Sequence, residues 1–166
     1  GISLSGLSKS FALAGLRVGW LATQDRALVE QWLAFKDYTT ICNSAPSEVL
    51  AVIALQAKDS IVARNLNIVQ ANVKLAEQFC AEHSGYFRWI KPHGGSTAFP
   101  QWLAAKPVDQ FCREALDQQG VMIVSGSIFD YPSQLHDQSQ HFRVGLGRLN
   151  FPEVLERVRD YFAPAG

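Results

Sequence analysis

Neither sign of charge prevails in this 166-residue chain: fifteen Lys and Arg stand against fifteen Asp and Glu, and the pI is near 7.1. Without a net field, no nucleic acid or anionic membrane surface is expected as a partner. Uninterrupted apolar stretches run to a few residues only, too short to cross a bilayer. No basic segment followed by an apolar one opens the chain, so no signal peptide is read there. Cysteine is sparse. Cys42, Cys80 and Cys112 are odd in number and far apart, and give neither a disulfide framework nor CxxC metal spacing. The compartment implied is reducing and cytoplasmic. His83, His93, His136 and His141 fall in no metal-ligand pattern, so no metal is expected. Internal repeats at periods of about 20–50 residues are also missing.

What remains is a globular composition: 48% hydrophobic, 18% charged and a mean hydropathy of zero. That excludes an intrinsically disordered chain. The length suits one domain or two small ones, and a single globule of this mass exposes roughly 8,000 Å².

Hydrophobic periodicity divides the chain into a small-residue opening, a helical middle and a mixed tail. Arg17–Thr23 reads as a short strand with Val18, Trp20 and Ala22 on one face. Asp25 caps a helix through Leu28, Val29, Trp32 and Leu33 to Phe35. Tyr38–Ser47 reads as loop. Ser44, Pro46 and Glu48 open a second helix, Val49–Ala57, apolar enough to be buried. Residues 60–83 carry a long amphipathic pattern, Val62, Leu66, Val69, Val73, Ala76 and Cys80, with Gly85 as its C-cap. Strands are expected at Phe87–Ile90, Ser96–Trp102, Val121–Val124 and His141–Leu146, with a polar loop over Asp130–Gln140. A helix over Val108–Gln118 closes at Gly120, and Asn150 with Glu153 opens the last one. From about residue 84 the tail is a small α+β unit, with helices on one side of a small sheet.

The chemistry concentrates in the first twenty residues, GISLSGLSKSFALAGLRVGW. Lys9 lies among small and apolar residues, with Arg17 eight positions on and no carboxylate before Asp25. Packing among such groups, beside a second cation, disfavours the ammonium form. A neutral amine is a nucleophile towards carbonyls. Hydroxyls, backbone N–H groups and a guanidinium fork together make an anion site suited to phosphate. Composition alone also leaves open a solvated lysine in a flexible opening. The spacing matches neither GxGxxG nor GxxxxGK[ST].

The stretch S-K-S-F-A-L-A-G-L-R-V-G-W resembles the lysine motif of the class I/II aminotransferases, fold type I enzymes dependent on pyridoxal 5′-phosphate (PLP). Lys9, Gly15, Arg17 and Gly19 fall in register with it. The resemblance implies that Lys9 forms the Schiff base (internal aldimine) with PLP, that Arg17 grips its phosphate, and that Ser8 lies in the same phosphate cup. Many members carry Ser or Thr three residues before the lysine; this chain has Gly6 there and Ser5 one position further out. The share of phosphate binding between Ser5 and Ser8 therefore stays open. H-F-R-V-G-L-G-R-L-N-F is similar to the family's late strand, whose arginine pairs with the substrate α-carboxylate. Arg143 takes that position, with Arg148 as runner-up. Lys91-Pro92-His93-Gly94-Gly95-Ser96 resembles the Pro-x-Gly-Gly turn on the substrate side of the cleft; an ordinary hairpin turn is the other reading. In similar proteins the loop with Tyr38 and Thr39–Ser44 approaches the neighbouring subunit's cofactor. Trp32, Phe35, Trp89, Phe99 and Trp102 fit core or subunit contacts.

The fold implied is α/β and PLP-dependent transferase-like. Residues 1–60 would be a partial large-domain remnant, 61–83 a connecting helix and 84–166 the small domain. The resemblance covers only the C-terminal half or less of the family's length. The missing part would supply the aromatic stacked on the pyridine ring, the aspartate on the ring nitrogen, and an asparagine and tyrosine near O3′, so this piece alone is expected not to sustain transamination. A truncated parallel sheet would expose edges, and self-association is expected. In the complete protein the implied activity is amino-group transfer from an amino acid to a 2-oxo acid, by a homodimer. Two alternatives stand beside it: a PLP-dependent lyase, decarboxylase or cyclase of the same fold, and a non-catalytic association domain.

Overall fold

Alternation in Ile-Ser-Leu-Ser and again in Gly-Trp-Leu-Ala-Thr folds the opening into a hairpin. In the computed structural model, which describes residues 1–129 and 140–163, β1 (Ile2–Gly6) pairs antiparallel with β2 (Gly19–Thr23). Most of the expected Asp130–Gln140 loop, with His136, lies outside the described residues. β1 was not anticipated, and the strand expected from Arg17 starts only at Gly19, because Arg17 has φ 55° and leaves a 3-10 turn over Ala14–Leu16. The pair is antiparallel, not a piece of parallel sheet.

Asp25 caps α1 (Arg26–Thr39), accepting from the Ala27 and Leu28 amides at 3.0 and 3.2 Å. The helix runs past Phe35 into the stretch expected to be loop. Thr39 returns its hydroxyl to the Phe35 carbonyl at 3.1 Å, which relieves the competition a β-branched polar residue brings to a helix. α2 (Ala45–Gln56) starts at Ser44 without a side-chain cap; Asn43 instead donates to Glu48 at 3.1 Å. Its apolar residues are not buried as expected. Ala51 and Ala54 are buried, whereas Val49, Val52 and Ile53 are 60%, 54% and 54% exposed.

α3 (Lys58–Glu82) is 25 residues long, about 37 Å at 1.5 Å per residue. Its end is not closed by Gly85, which lacks the left-handed φ of a glycine cap; the His83 and Tyr86 amides turn the chain back onto Phe79 and His83 carbonyls. Backbone packing divides the chain into two compact units, Gly1–Leu66 and Asn67–Gly166.

The second unit holds two small antiparallel sheets, β3 (Phe87–Arg88) with β5 (Gln101–Trp102), and β4 (Thr97–Ala98), β7 (Phe142–Gly145) and β6 (Val124–Ser125) in the order β4-β7-β6. The single strand expected over Ser96–Trp102 is broken at Pro100, which has no N–H for a ladder and is fully buried. The chain switches there from β7 to β3 as its partner. α4 (Val108–Gln119) ends at Gly120 in the left-handed region, φ 65°, where no Cβ penalty applies. α5 (Phe151–Tyr161) begins at Asn150 without the expected capping box; Glu153 pairs with Arg157 at 2.9 Å.

Aromatics fill the core of this unit: Trp102 stacks on Phe111 at 4.3 Å, and Phe87 and Phe142 meet at their edges. Packing between α3, α5 and the strands leaves a cavity of about 310 Å³, lined among others by Ala76, Phe79, Trp89, Val144 and Phe151. Between α4 and α5, Glu114 accepts from Lys106 and from the Tyr161 hydroxyl. These bonds, Lys106 first, hold its carboxyl down to about 2. A carboxyl lowered on folding stabilises the fold above its unfolded pKa, and loses that contribution as pH falls through the folded value. Glu114→Gln should therefore reduce stability above about pH 5 and match the parent near pH 2, as read by thermal unfolding across that range.

Candidate functional site

Leu7 is the pivot of the first candidate site. It is fully buried, its amide donates to Val18 O at 3.1 Å, and its carbonyl accepts from Leu13 at 3.0 Å. Residues 7–18 thus form a loop with joined ends, an Ω-type arrangement. Inside it the Ala12 amide bonds to Lys9 O at 3.0 Å, and Ala12 and Arg17 both sit at positive φ, 56° and 55°. Left-handed backbone costs a non-glycine residue about 1–2 kcal/mol, so surrounding bonds must hold it. Arg17 Nη1 donates to Ala14 O at 2.9 Å, which ties the guanidinium to the 3-10 turn.

The loop springs from the tightest point of the hairpin. Gly6 faces Gly19, and a Cβ on Gly19 would lie 3.0 Å from Ser5 O, one on Gly6 3.1 Å from Val18 O. Both obstacles are backbone atoms. Gly6 thus sits in a tight backbone contact in the place where the resemblance has Ser or Thr. Gly19→Ala should cost about 1–3 kcal/mol, visible as a lower Tm.

The structure brings three of the expected site residues, Ser8, Lys9 and Arg17, into this one loop. Ser8 is partly buried; Lys9 and Arg17 are exposed. The burial expected of Lys9 is not found. Its neighbours Ser8 and Ser10 are too small to enclose a four-carbon stem, and within the loop only Leu7 is fully buried. Ser5 sits in β1, paired with Trp20.

Arg143 is in the second unit, at the centre of β7 and opposite Val124 of β6. The period of two buries Phe142 and Leu146 and leaves Arg143 and Gly145 exposed on the other face. The end of β7 is fixed by Asn72, buried in α3, whose amide donates to Leu146 O at 2.9 Å and Arg148 O at 2.8 Å. β6 is fixed by Asp109, which accepts from Ser127 at 2.7 Å; hydrogen bonds from Ser125 and Ser127 lower its pKa. Arg148 lies exposed in the turn before α5. Gly95 of the Pro-x-Gly-Gly segment turns at φ 76°. Tyr38 is at the end of α1, 90% exposed, and Ile41 beyond it sits at φ 58°. Sequence reasoning missed the Gly6–Gly19 contact and Asn72; mirrored alternation around the loop signals the first, and nothing in a polar helix face signals the second.

Residues 1–160 match the sequence profile of the family described as aminotransferase class I and II. The chain belongs to that family. Capreomycidine synthase of Streptomyces vinaceus is 32% identical over 146 residues, 87% of this chain and 35% of its own length. A PLP-dependent aminotransferase from Streptococcus suis 89-1591 superposes with a TM-score of 0.83 at 26% identity, over 100% of this chain and 43% of that one. The PLP-dependent cyclase OrfR gives 0.81 at 28%, over 96% and 42%. The fold is thus that of the PLP-dependent aminotransferases, and the chain spans about two fifths of its relatives' length or less. No helix among the described residues is long and apolar enough to cross a membrane.

The family implies PLP, and the donor set of the 7–18 loop fits it. A phosphate-bearing aldehyde needs a cationic fork and hydroxyl for its anion and a primary amine for its carbonyl. Arg17, Ser8 and Lys9 supply these within one closed loop.

Proposed function

We propose that the complete protein is a PLP-dependent enzyme that moves the amino group of an amino acid to a 2-oxo acid. The observation that supports this is the closed 7–18 loop, which carries Ser8, Lys9 and Arg17 on one short segment whose ends are joined at Leu7 and Val18. In this reading Arg17 and Ser8 hold the cofactor phosphate, and Lys9 Nζ is the point of covalent attachment. PLP, when bound, supplies an electron sink conjugated to the substrate Cα. Once freed by the substrate's own amine, Lys9 Nζ would take the proton from Cα as general base and deliver it to the cofactor's C4′ as general acid. Arg143 presents its planar fork to the substrate α-carboxylate, a geometry that Lys does not offer. Exposed Leu33, Phe35 and Tyr38 of α1 support pairing of two copies, and three free thiols suit a reducing cytoplasm.

A second reading is cyclisation, in which the nitrogen stays on the substrate. The similarity to the PLP-dependent cyclase OrfR favours it. The test is to incubate the complete protein and PLP with ¹⁵N-labelled amino acids and 2-oxo acids. Label appearing on the acceptor supports transfer; label retained in a cyclised product overturns it in favour of the second reading. Borohydride reduction and peptide mapping of the same protein should place the cofactor on Lys9.

A further inference from the structure

Among the described residues, one hydrogen bond reaches the 7–18 loop from a side chain outside it. Asn65, near the start of α3, donates through Nδ2 to the Ser10 carbonyl at 3.0 Å, across 55 residues of sequence. Ser10 O can only accept, so the amide must present its nitrogen there. The opposite end of the amide is held as well, since Asn65 Oδ1 accepts from Arg64 Nη1 at 3.2 Å. The carbonyl so gripped belongs to the residue after Lys9. Lys9's own carbonyl is taken by the Ala12 amide. Backbone on the C-terminal side of the lysine is therefore fixed by α3 and by the loop itself, just where Ala12 at φ 56° bends the chain.

We propose that Asn65 is a positioning residue for Lys9: its amide, by gripping the Ser10 carbonyl, fixes the backbone from which the Lys9 amine reaches its aldehyde. The inference rests on the reading of Lys9 as the attachment point. Its logic is orientational. An exposed lysine stem has many rotamers, and the backbone at its base is what a neighbouring element can hold. Asn65 contributes to no core, so its removal need not unsettle the fold.

The test uses the complete protein and three variants. Asn65→Ala removes the donor while raising helix propensity, so any loss does not come from a weakened α3. Asn65→Asp keeps the shape but sets a carboxylate against Ser10 O. Asn65→Gln keeps an amide donor. The rate of PLP attachment to Lys9, followed by imine absorbance, should fall about threefold to tenfold in the first two and recover in large part in the third. In the cofactor-free protein, the Ala12 and Leu13 amides should exchange hydrogen faster in Asn65→Ala, with Tm unchanged. Wild-type attachment rate and wild-type exchange in Asn65→Ala overturn the proposal, as does a slower rate accompanied by global loss of Tm. If Lys9 takes no label even in the parent protein, the functional reading fails, while exchange at Ala12 and Leu13 still decides whether Asn65 holds the loop.

Discussion

Lys9→Ala in the complete protein is expected to abolish the imine absorbance with PLP and to lower kcat by at least about 10²- to 10⁴-fold, the usual contribution of a positioned general acid–base group. The residual activity should be of the kind that any free amine catalyses. Lys9→Arg separates charge from chemistry. Arginine keeps the cation but is never deprotonated in a protein, so it neither attacks an aldehyde nor accepts the Cα proton. It should therefore be as inactive as alanine, although phosphate affinity measured with inorganic phosphate is retained. Activity preserved in Lys9→Arg would assign Lys9 to electrostatics alone and remove it from the reaction. The next lysine in sequence, Lys36, is in the last turn of α1 and already donates to Thr40 Oγ1 at 3.2 Å.

Much of this arrangement was legible from residue spacing, and the failures have physical causes. Local chemistry read correctly wherever one residue type decides the outcome. Asp25 caps α1, Gly120 closes α4 at φ 65°, and Phe142, Val144 and Leu146 turn one face of β7 inward. Readings failed where a non-local partner decides. Ser96–Trp102 looks like one strand because its composition is uniform, yet Pro100 divides it between two partners. Ser44 and Asn150 look like caps, but their side chains are not used as such. α2 is apolar enough for a core position, and its composition says nothing of whether another layer covers it; here Val49, Val52 and Ile53 stand in solvent. The lysine segment shows both sides. Its residue types suggest an amine beside an anion site, the reading proposed above. Lys9's exposure and the Gly6–Gly19 contact depend on how β1 meets β2, which spacing alone does not report.

Arg143→Ala should lower kcat/KM for amino acids about 10²-fold, near 3 kcal/mol, the scale of charge-assisted hydrogen bonds to a carboxylate. The loss follows from the strand. β7 is held between β4 and β6, its end is gripped by Asn72, and its alternation sets residue 143 on the face away from Phe142. Truncation therefore removes the guanidinium without displacing its backbone, and Tm should change little. Arg143→Lys restores the charge but not the fork, so it should recover about a tenth to a third of the loss on a logarithmic scale. Two controls make the assignment specific. Arg148→Ala, in the turn before α5, should leave kcat/KM within about twofold, because its carbonyl, not its guanidinium, is what Asn72 uses. Amines lacking a carboxylate should react equally slowly with the parent and with Arg143→Ala, since the interaction that distinguishes the two proteins is then missing from both. A larger loss in Arg148→Ala than in Arg143→Ala would transfer the carboxylate to the turn, and an equal loss with the carboxylate-free amine would make Arg143 a structural residue of β7.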